Sequence, residues 1–214
     1  QSREDIQFGN LAGCADLDTA NPYVQDKLGG YLQKLLDLGV TGFRIDAAKH
    51  IPVEDLAEIY SHLKKRAFIY HEIADFKDGP IAQEEYYFLG YVTEFKYTKV
   101  LAQNFLNGKI SNLSNLGADW GFAPNARAMV FIDNHDTQRG SFPGLPVMTY
   151  KNGNAYLLAN VFMLAWPYGT PIVMSSFRFD QRDEGSPKLG PYAQPELWAL
   201  EHRHPMILAM IQFR

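Results

Sequence analysis

Apolar residues along the chain alternate between helical spacing and short continuous blocks. Asn21-Pro22 joins an N-cap side chain to a proline suited to the first helical turn, and Val24, Leu28, Tyr31, Leu32, Leu35 and Leu38 then keep one face as far as Gly39. A helix of about four turns is predicted there. Val40 to Ala47 is a mostly apolar run with β-branched and aromatic residues, the pattern of a strand buried on both faces in a parallel sheet. Pro52 opens a second helix through Leu56, Ile59, Tyr60 and Leu63. The alternation continues with strands over 68–73 and 92–95, a helix near 98–105, a strand over 128–132, a helix over 155–164, a strand over 171–175 and a last helix from Pro205 through Ile207, Leu208 and Ile211. The Pro- and Gly-bearing stretch 180–195 is expected to be a long rim loop, and the segment through Asn10 the middle of a loop.

Five such strands joined by helical crossovers predict a parallel α/β sheet, either a closed barrel or an open doubly wound sheet. Three strand-like segments finish on carboxylates: Gly42 to His50 with Asp46, Phe68 to Glu72, and Met129 to Asp136. Acids at successive strand ends favour the barrel, whose chemistry sits at that rim. No glycine-rich phosphate loop occurs, so nucleotide binding is not indicated. No second domain is marked, and the whole chain 1–214 is expected to form one partial barrel domain.

Composition narrows the classes. The apolar fraction of 46% excludes a disordered chain, and the aromatic fraction of 14% is high enough to suit a surface that stacks on flat ligand faces. A net charge of -4 gives no footprint for nucleic acid or an anionic membrane. No apolar run reaches the roughly 18 residues that cross a bilayer, and the opening Gln1 to Asp5 is unlike a signal peptide. The lone Cys14 cannot form an internal disulfide and is expected to be a small buried apolar residue.

The acids have distinct surroundings. Side chains two apart on a strand share a face, so Arg44 is expected to hold Asp46 ionised and oriented, which suits a nucleophile. Glu72 follows Tyr70 and His71 in a partly apolar setting that suits a proton donor. Asp136, after Asn134 and His135, suits a stabiliser of positive charge. A donor to the leaving oxygen, an anion beneath the anomeric carbon and groups that grip hydroxyls are what glycosidic cleavage needs.

Together GFRIDAAKH (42–50), the His71-Glu72 pair and FIDNHD (131–136) resemble the alpha-amylase family of glycoside hydrolases, and ADLDTANPYV, VTEFKY, WPYG and VMSS are similar to its animal and actinobacterial-type members. The resemblance covers essentially the whole chain. It implies a (β/α)8 TIM barrel present in part, about strands four to eight, with residues 1–20 as the tail of an inserted domain and a calcium-site loop. It also implies a retaining attack on internal α-1,4 bonds of starch or glycogen, with Asp46 as nucleophile, Glu72 as acid/base and Asp136 as transition-state stabiliser. Arg44, Lys49, His50 and His135 are the implied substrate contacts. Calcium is implied at Asp16, with backbone oxygens of His50 and Gln7. For the chloride of animal members, Arg44 and Asn134 match, but the third position is Ile172, which offers an anion nothing, so chloride independence is expected. An extracellular, monomeric parent acting on α-1,4-glucans is implied, with the first three βα units, most of the inserted domain, the C-terminal β domain and any signal peptide outside this chain. A related transglycosylase or α-glucosidase, or a non-catalytic barrel fragment or binding subunit, are the alternatives to an amylase, and the isolated fragment is expected to be inactive or to fold poorly.

Overall fold

Short parallel strands, each closely followed by a turn or helix, recur in both units of the chain. The computed structural model describes residues 2–214, so Gln1 of the expected loop start lies outside the described residues. One unit is Gln1–Thr93 with Ala126–Ala128, and the other is Glu94–Asn125 with Met129–Arg214.

The first unit begins with a helix where a loop was expected. Helix α1 (Arg3–Gln7) forms because Ser2 Oγ accepts from the Asp5 N–H at 3.1 Å while Asp5 Oδ2 accepts from the Ser2 N–H at 2.9 Å, a reciprocal capping box. Helix α2 (Pro22–Asp37) starts as predicted, with Asn21 Oδ1 accepting from the Tyr23 N–H at 2.9 Å, and stops before Gly39, whose φ of 101 suits glycine alone. Strand β1 (Gly42–Ile45), helix α3 (Val53–Ser61), strand β2 (Phe68–His71) and strand β3 (Tyr91–Thr93) follow. β1 pairs in parallel with β2, and β2 with β3. Between β2 and β3 only a one-turn 3-10 helix, Gln83–Tyr86, takes the place of a crossover helix.

Glycines allow the close packing here. A Cβ at Gly29 of α2 would lie 2.5 Å from His62 Cβ and 2.9 Å from the Ile59 carbonyl oxygen, and one at Gly42 would lie 2.6 Å from the Phe68 carbonyl oxygen. Leu36, Leu56, Ile59, Ile69, Ile73 and Val92 are buried. β1, expected to be buried on both faces, is half-buried throughout, because among the described residues of its unit it pairs with β2 alone. Cys14, expected to be buried, is exposed in the loop after a one-turn 3-10 helix.

The second unit holds helix α4 (Phe95–Leu106), strand β4 (Ala128–Phe131, its first residue grouped with the first unit), helix α5 (His135–Gln138), helix α6 (Asn154–Ala165), strand β5 (Thr170–Ile172) and helix α7 (Pro205–Phe213). β4 and β5 are parallel neighbours. The strand expected over 92–95 ends earlier. Buried Glu94 instead caps α4, its carboxylate accepting from the Lys96 N–H at 3.0 Å and the Ala123 N–H at 2.7 Å, so Phe95 begins the helix. Phe95, Leu101, Phe131, Met163 and Ile207 are buried in this unit. Arg214 closes the end of α6, donating to the Trp166 carbonyl at 2.8 Å and the Gly169 carbonyl at 2.6 Å, where orphan carbonyls and the helix dipole both favour a cation. Residues 180–194 carry no helix or strand, as expected for a rim loop.

Candidate active site

β1 and β2 end side by side, and their ends place two carboxylates of the first unit. Arg44 leaves β1 two residues before Asp46, and its Nη1 donates to Asp46 Oδ1 at 2.5 Å. The other arm of the same guanidinium, Nη2, lies 3.0 Å from Glu72 Oε1, an ion-pair contact outside hydrogen-bonding alignment. Arg44 thus serves both acids, where the strand pattern predicted only the first. Burial works against its charge, but the Asp46 hydrogen bond and the charges of Glu72 and Asp46 outweigh it, so the Arg44 pKa is raised. The two acids differ in exposure: the Asp46 side chain is 72% exposed and that of Glu72 only 10%.

A backbone device missed by pattern reasoning completes the pair. Ala47 adopts a left-handed conformation, φ 44 and ψ 38, which an L-residue takes at some cost. Its N–H donates to Glu72 Oε2 at 2.9 Å, and the next N–H, of Ala48, donates to the Glu72 carbonyl at 3.0 Å. The turn directly after Asp46 therefore clamps Glu72 through side chain and backbone. No residue type signals this, since alanine is not a turn former.

The apolar surroundings expected for Glu72 differ from those found. His71 is buried: its Nδ1 lies 3.0 Å from the Tyr91 carbonyl, to which it donates, so Nε2 accepts from the Tyr60 hydroxyl at 3.0 Å. Burial lowers the His71 pKa and keeps the ring neutral. His71 is thus a satisfied core residue, and the group that faces Glu72 is a guanidinium.

Asp136 belongs to the second unit, and it stands on the first turn of α5, not at the end of β4. Asn134 Oδ1 caps that helix, accepting from the Asp136 N–H at 3.1 Å and the Thr137 N–H at 2.8 Å, while Thr137 Oγ1 accepts from the Asn134 N–H at 2.8 Å. Among the described residues the Asp136 carboxylate has loose contacts of its own, Ser141 Oγ at 3.3 Å and His135 Nε2 at 3.5 Å. His135 is exposed. Arg139, one residue beyond α5, ties this region to the rim loop, donating to the carbonyls of Arg182 and Glu184 and lying 3.9 Å over the Phe179 ring.

Other expected contacts are placed as follows. Lys49 Nζ donates to the Ala74 carbonyl at 3.2 Å. His50 Nδ1 lies 2.9 Å from the Ile6 carbonyl, which brings it beside buried Gln7, while Asp16 is exposed and its N–H donates to Asn10 Oδ1 at 3.2 Å. One carboxylate and two carbonyl oxygens are hard donors of the kind calcium takes, yet fewer than its six to eight. Among the described residues no group of three or more His, Cys, Asp or Glu could hold a metal ion. Ile172 stands in β5, half-buried. No helix of the described residues is long and apolar enough to cross a membrane.

Known proteins bear on this arrangement. No protein-family model matches the chain. It is 43% identical over 216 residues to an alpha-amylase of Aeromonas hydrophila, covering 98% of this chain and 48% of that protein. To an alpha-amylase of Thermomonospora curvata it is 42% identical over 214 residues, covering 93% and 34%. The crystal structure of wild-type alpha-amylase I from Eisenia fetida superposes with a TM-score of 0.94 at 32% identity over 99% of this chain and 49% of that one. Over essentially its whole length the chain is similar to members of the alpha-amylase family. Its fold class is accordingly α/β, a (β/α)8 barrel present in part. The chain spans about half or less of the length of the family members it matches. A mutant of the Eisenia fetida enzyme has been solved with maltohexaose, and it superposes with a TM-score of 0.93 at 31% identity over 100% of this chain and 50% of that one.

Proposed function

We propose that this chain carries the catalytic acids of a glycoside hydrolase that cleaves internal α-1,4 bonds of starch or glycogen with retention of configuration. The observation that carries the reading is the single guanidinium of Arg44 in contact with both Asp46 and Glu72. One side chain touching both acids holds them as neighbours, which supports the short separation of about 5 to 5.5 Å that double displacement uses.

Within this reading Asp46, exposed and hydrogen-bonded to Arg44, attacks the anomeric carbon and forms the glycosyl-enzyme bond. Glu72 gives its proton to the leaving oxygen and then takes one from the incoming water. Its Oε2 is anchored on the Ala47 N–H and its Oε1 lies beside Arg44, which fixes the carboxyl for proton exchange. Asp136 supplies negative charge to the oxocarbenium-like transition state, and His135, Lys49 and His50 contact hydroxyls. Maltohexaose in the complex of the Eisenia fetida protein supports an α-glucan oligosaccharide as the ligand class.

Calcium held by the Asp16 carboxylate and the carbonyls of His50 and Gln7 would tie the loop after α1 to the turn that follows Asp46. A fall in melting temperature on chelation, reversed by calcium, is expected, and no response to the chelator would remove the ion from the account. The activity is tested by product analysis on soluble starch with the full-length product of the gene. Short maltooligosaccharides released without disproportionation are expected; longer products built from a maltooligosaccharide would identify a transglycosylase instead.

A further inference from the structure

Two carboxylates of the second unit, Asp133 at 2% and Glu201 at 4% exposure, are buried with no cation at ion-pair distance among the described residues. A single neutral amide joins them. Gln138 Nε2 donates to Asp133 Oδ2 at 2.7 Å and to Glu201 Oε1 at 3.2 Å, with the Ser176 hydroxyl a longer contact at 3.4 Å, so the two short contacts both go to acids. Each acid is held from behind: Asp133 Oδ1 accepts from the Tyr156 hydroxyl at 2.8 Å, and Glu201 accepts from the Ser176 N–H at 2.7 Å and the Ser176 hydroxyl at 2.5 Å. Burial pushes the Asp133 carboxyl up to about 7, opposed by the hydrogen bonds from Gln138 and Tyr156, as expected where two acids share a dry site.

Gln138 is the last residue of α5, the one-turn helix that carries Asp136. A single turn has no stability of its own, and among the described residues the Asp136 carboxylate has two loose contacts, so its direction depends on how the turn is fastened. Asn134 fastens the start. We propose that Gln138, bridging Asp133 and Glu201, fastens the end and is a positioning residue that sets Asp136 for the reaction. This rests on the proposed role of Asp136. Burying two acids is unfavourable for stability alone, and apolar residues would pack the same space at less cost, which favours a role in fixing geometry.

The test uses the full-length product of the gene acting on a maltooligosaccharide. Gln138→Met keeps the volume and removes both donors. It is expected to lower kcat about 10- to 100-fold with KM within about twofold, because a misdirected group costs transition-state stabilisation more than binding. Leu101→Ala, a core truncation in α4 of the same unit, controls for lost stability and is expected to keep kcat within about twofold. A folded Gln138→Met with unchanged kcat overturns the proposal, as does an equal loss of kcat in Leu101→Ala at matched stability. Should Gln138→Met not fold, Gln138→Glu, which retains shape but offers at most one hydrogen, decides by the same split. Asp136→Asn separates the two claims: if it remains active, the role of Asp136 fails; if it is inactive while Gln138→Met is not, only the positioning claim fails.

Discussion

Replacing Arg44 with methionine removes the one side chain shared by the two acids of the first unit. The magnitude follows from their exposures. Leaving a buried partner without its counter-charge costs about 3 to 5 kcal/mol, which applies to Glu72, whose side chain is 10% exposed. The contact to Asp46, 72% exposed, is worth less than about 1 kcal/mol. Arg44 itself is 28% exposed, so water screens part of the larger cost, and a net destabilisation of about 2 kcal/mol is expected. The catalytic effect is larger, because the same guanidinium hydrogen-bonds Asp46 and faces Glu72: kcat is expected to fall about 10²- to 10³-fold. Arg44→Lys recovers at most part of this, since one ammonium cannot span both acids. Urea unfolding paired with initial rates of reducing-end release reads both quantities. A variant with stability within about 0.5 kcal/mol of the parent and kcat within about threefold refutes the claim that Arg44 holds the pair.

Three further outcomes are expected. The Asp133 pKa is raised from 3.8 to about 7, so the folded chain binds the extra proton; its stabilising contribution is full below about pH 4 and is lost as pH rises to about 7. Between pH 5 and 7.5 the parent should therefore lose melting temperature relative to Asp133→Asn, and parallel curves would contradict the shift. Gly29→Ala puts a Cβ against His62 and the Ile59 carbonyl and is expected to cost about 1 to 3 kcal/mol in urea unfolding, since the opposing group is partly backbone; a neutral change would mean that α2 and α3 part easily. Added chloride is expected to leave activity unchanged, because the apolar Ile172 cannot hold an anion; a several-fold stimulation in a salt titration would contradict this.

Patterning along the chain located the strands and longer helices because buried strands and amphipathic helices are written locally. Asn21-Pro22 and Gly39 bound α2 closely, and the acids were found because Asp46 and Glu72 directly follow apolar runs. What the pattern missed depends on neighbours distant in sequence or on backbone geometry. Glu94 reads as a strand residue until Ala123 donates to it, and Arg44 reads as the partner of Asp46 until β2 brings Glu72 beside it. The left-handed Ala47 has no compositional signal. FIDNHD is apolar at its start and so reads as a strand ending on Asp136, although Asn134 with Thr137 three residues later is a helix-start signal that places it on α5. Asp133, a carboxylate behind Phe131 and Ile132, already promised a buried acid, but its partner Glu201 lies far along the chain and carried no mark.

In the proposed reaction Asp46 makes the covalent bond to the sugar. A fluorinated glucosyl substrate that accumulates the intermediate, followed by proteolysis and mass spectrometry of the full-length gene product, tests it directly. One glycosyl adduct is expected, on the peptide containing Asp46 and on that residue. An adduct on Glu72, Asp136 or any other side chain, with Asp46 unmodified, contradicts it.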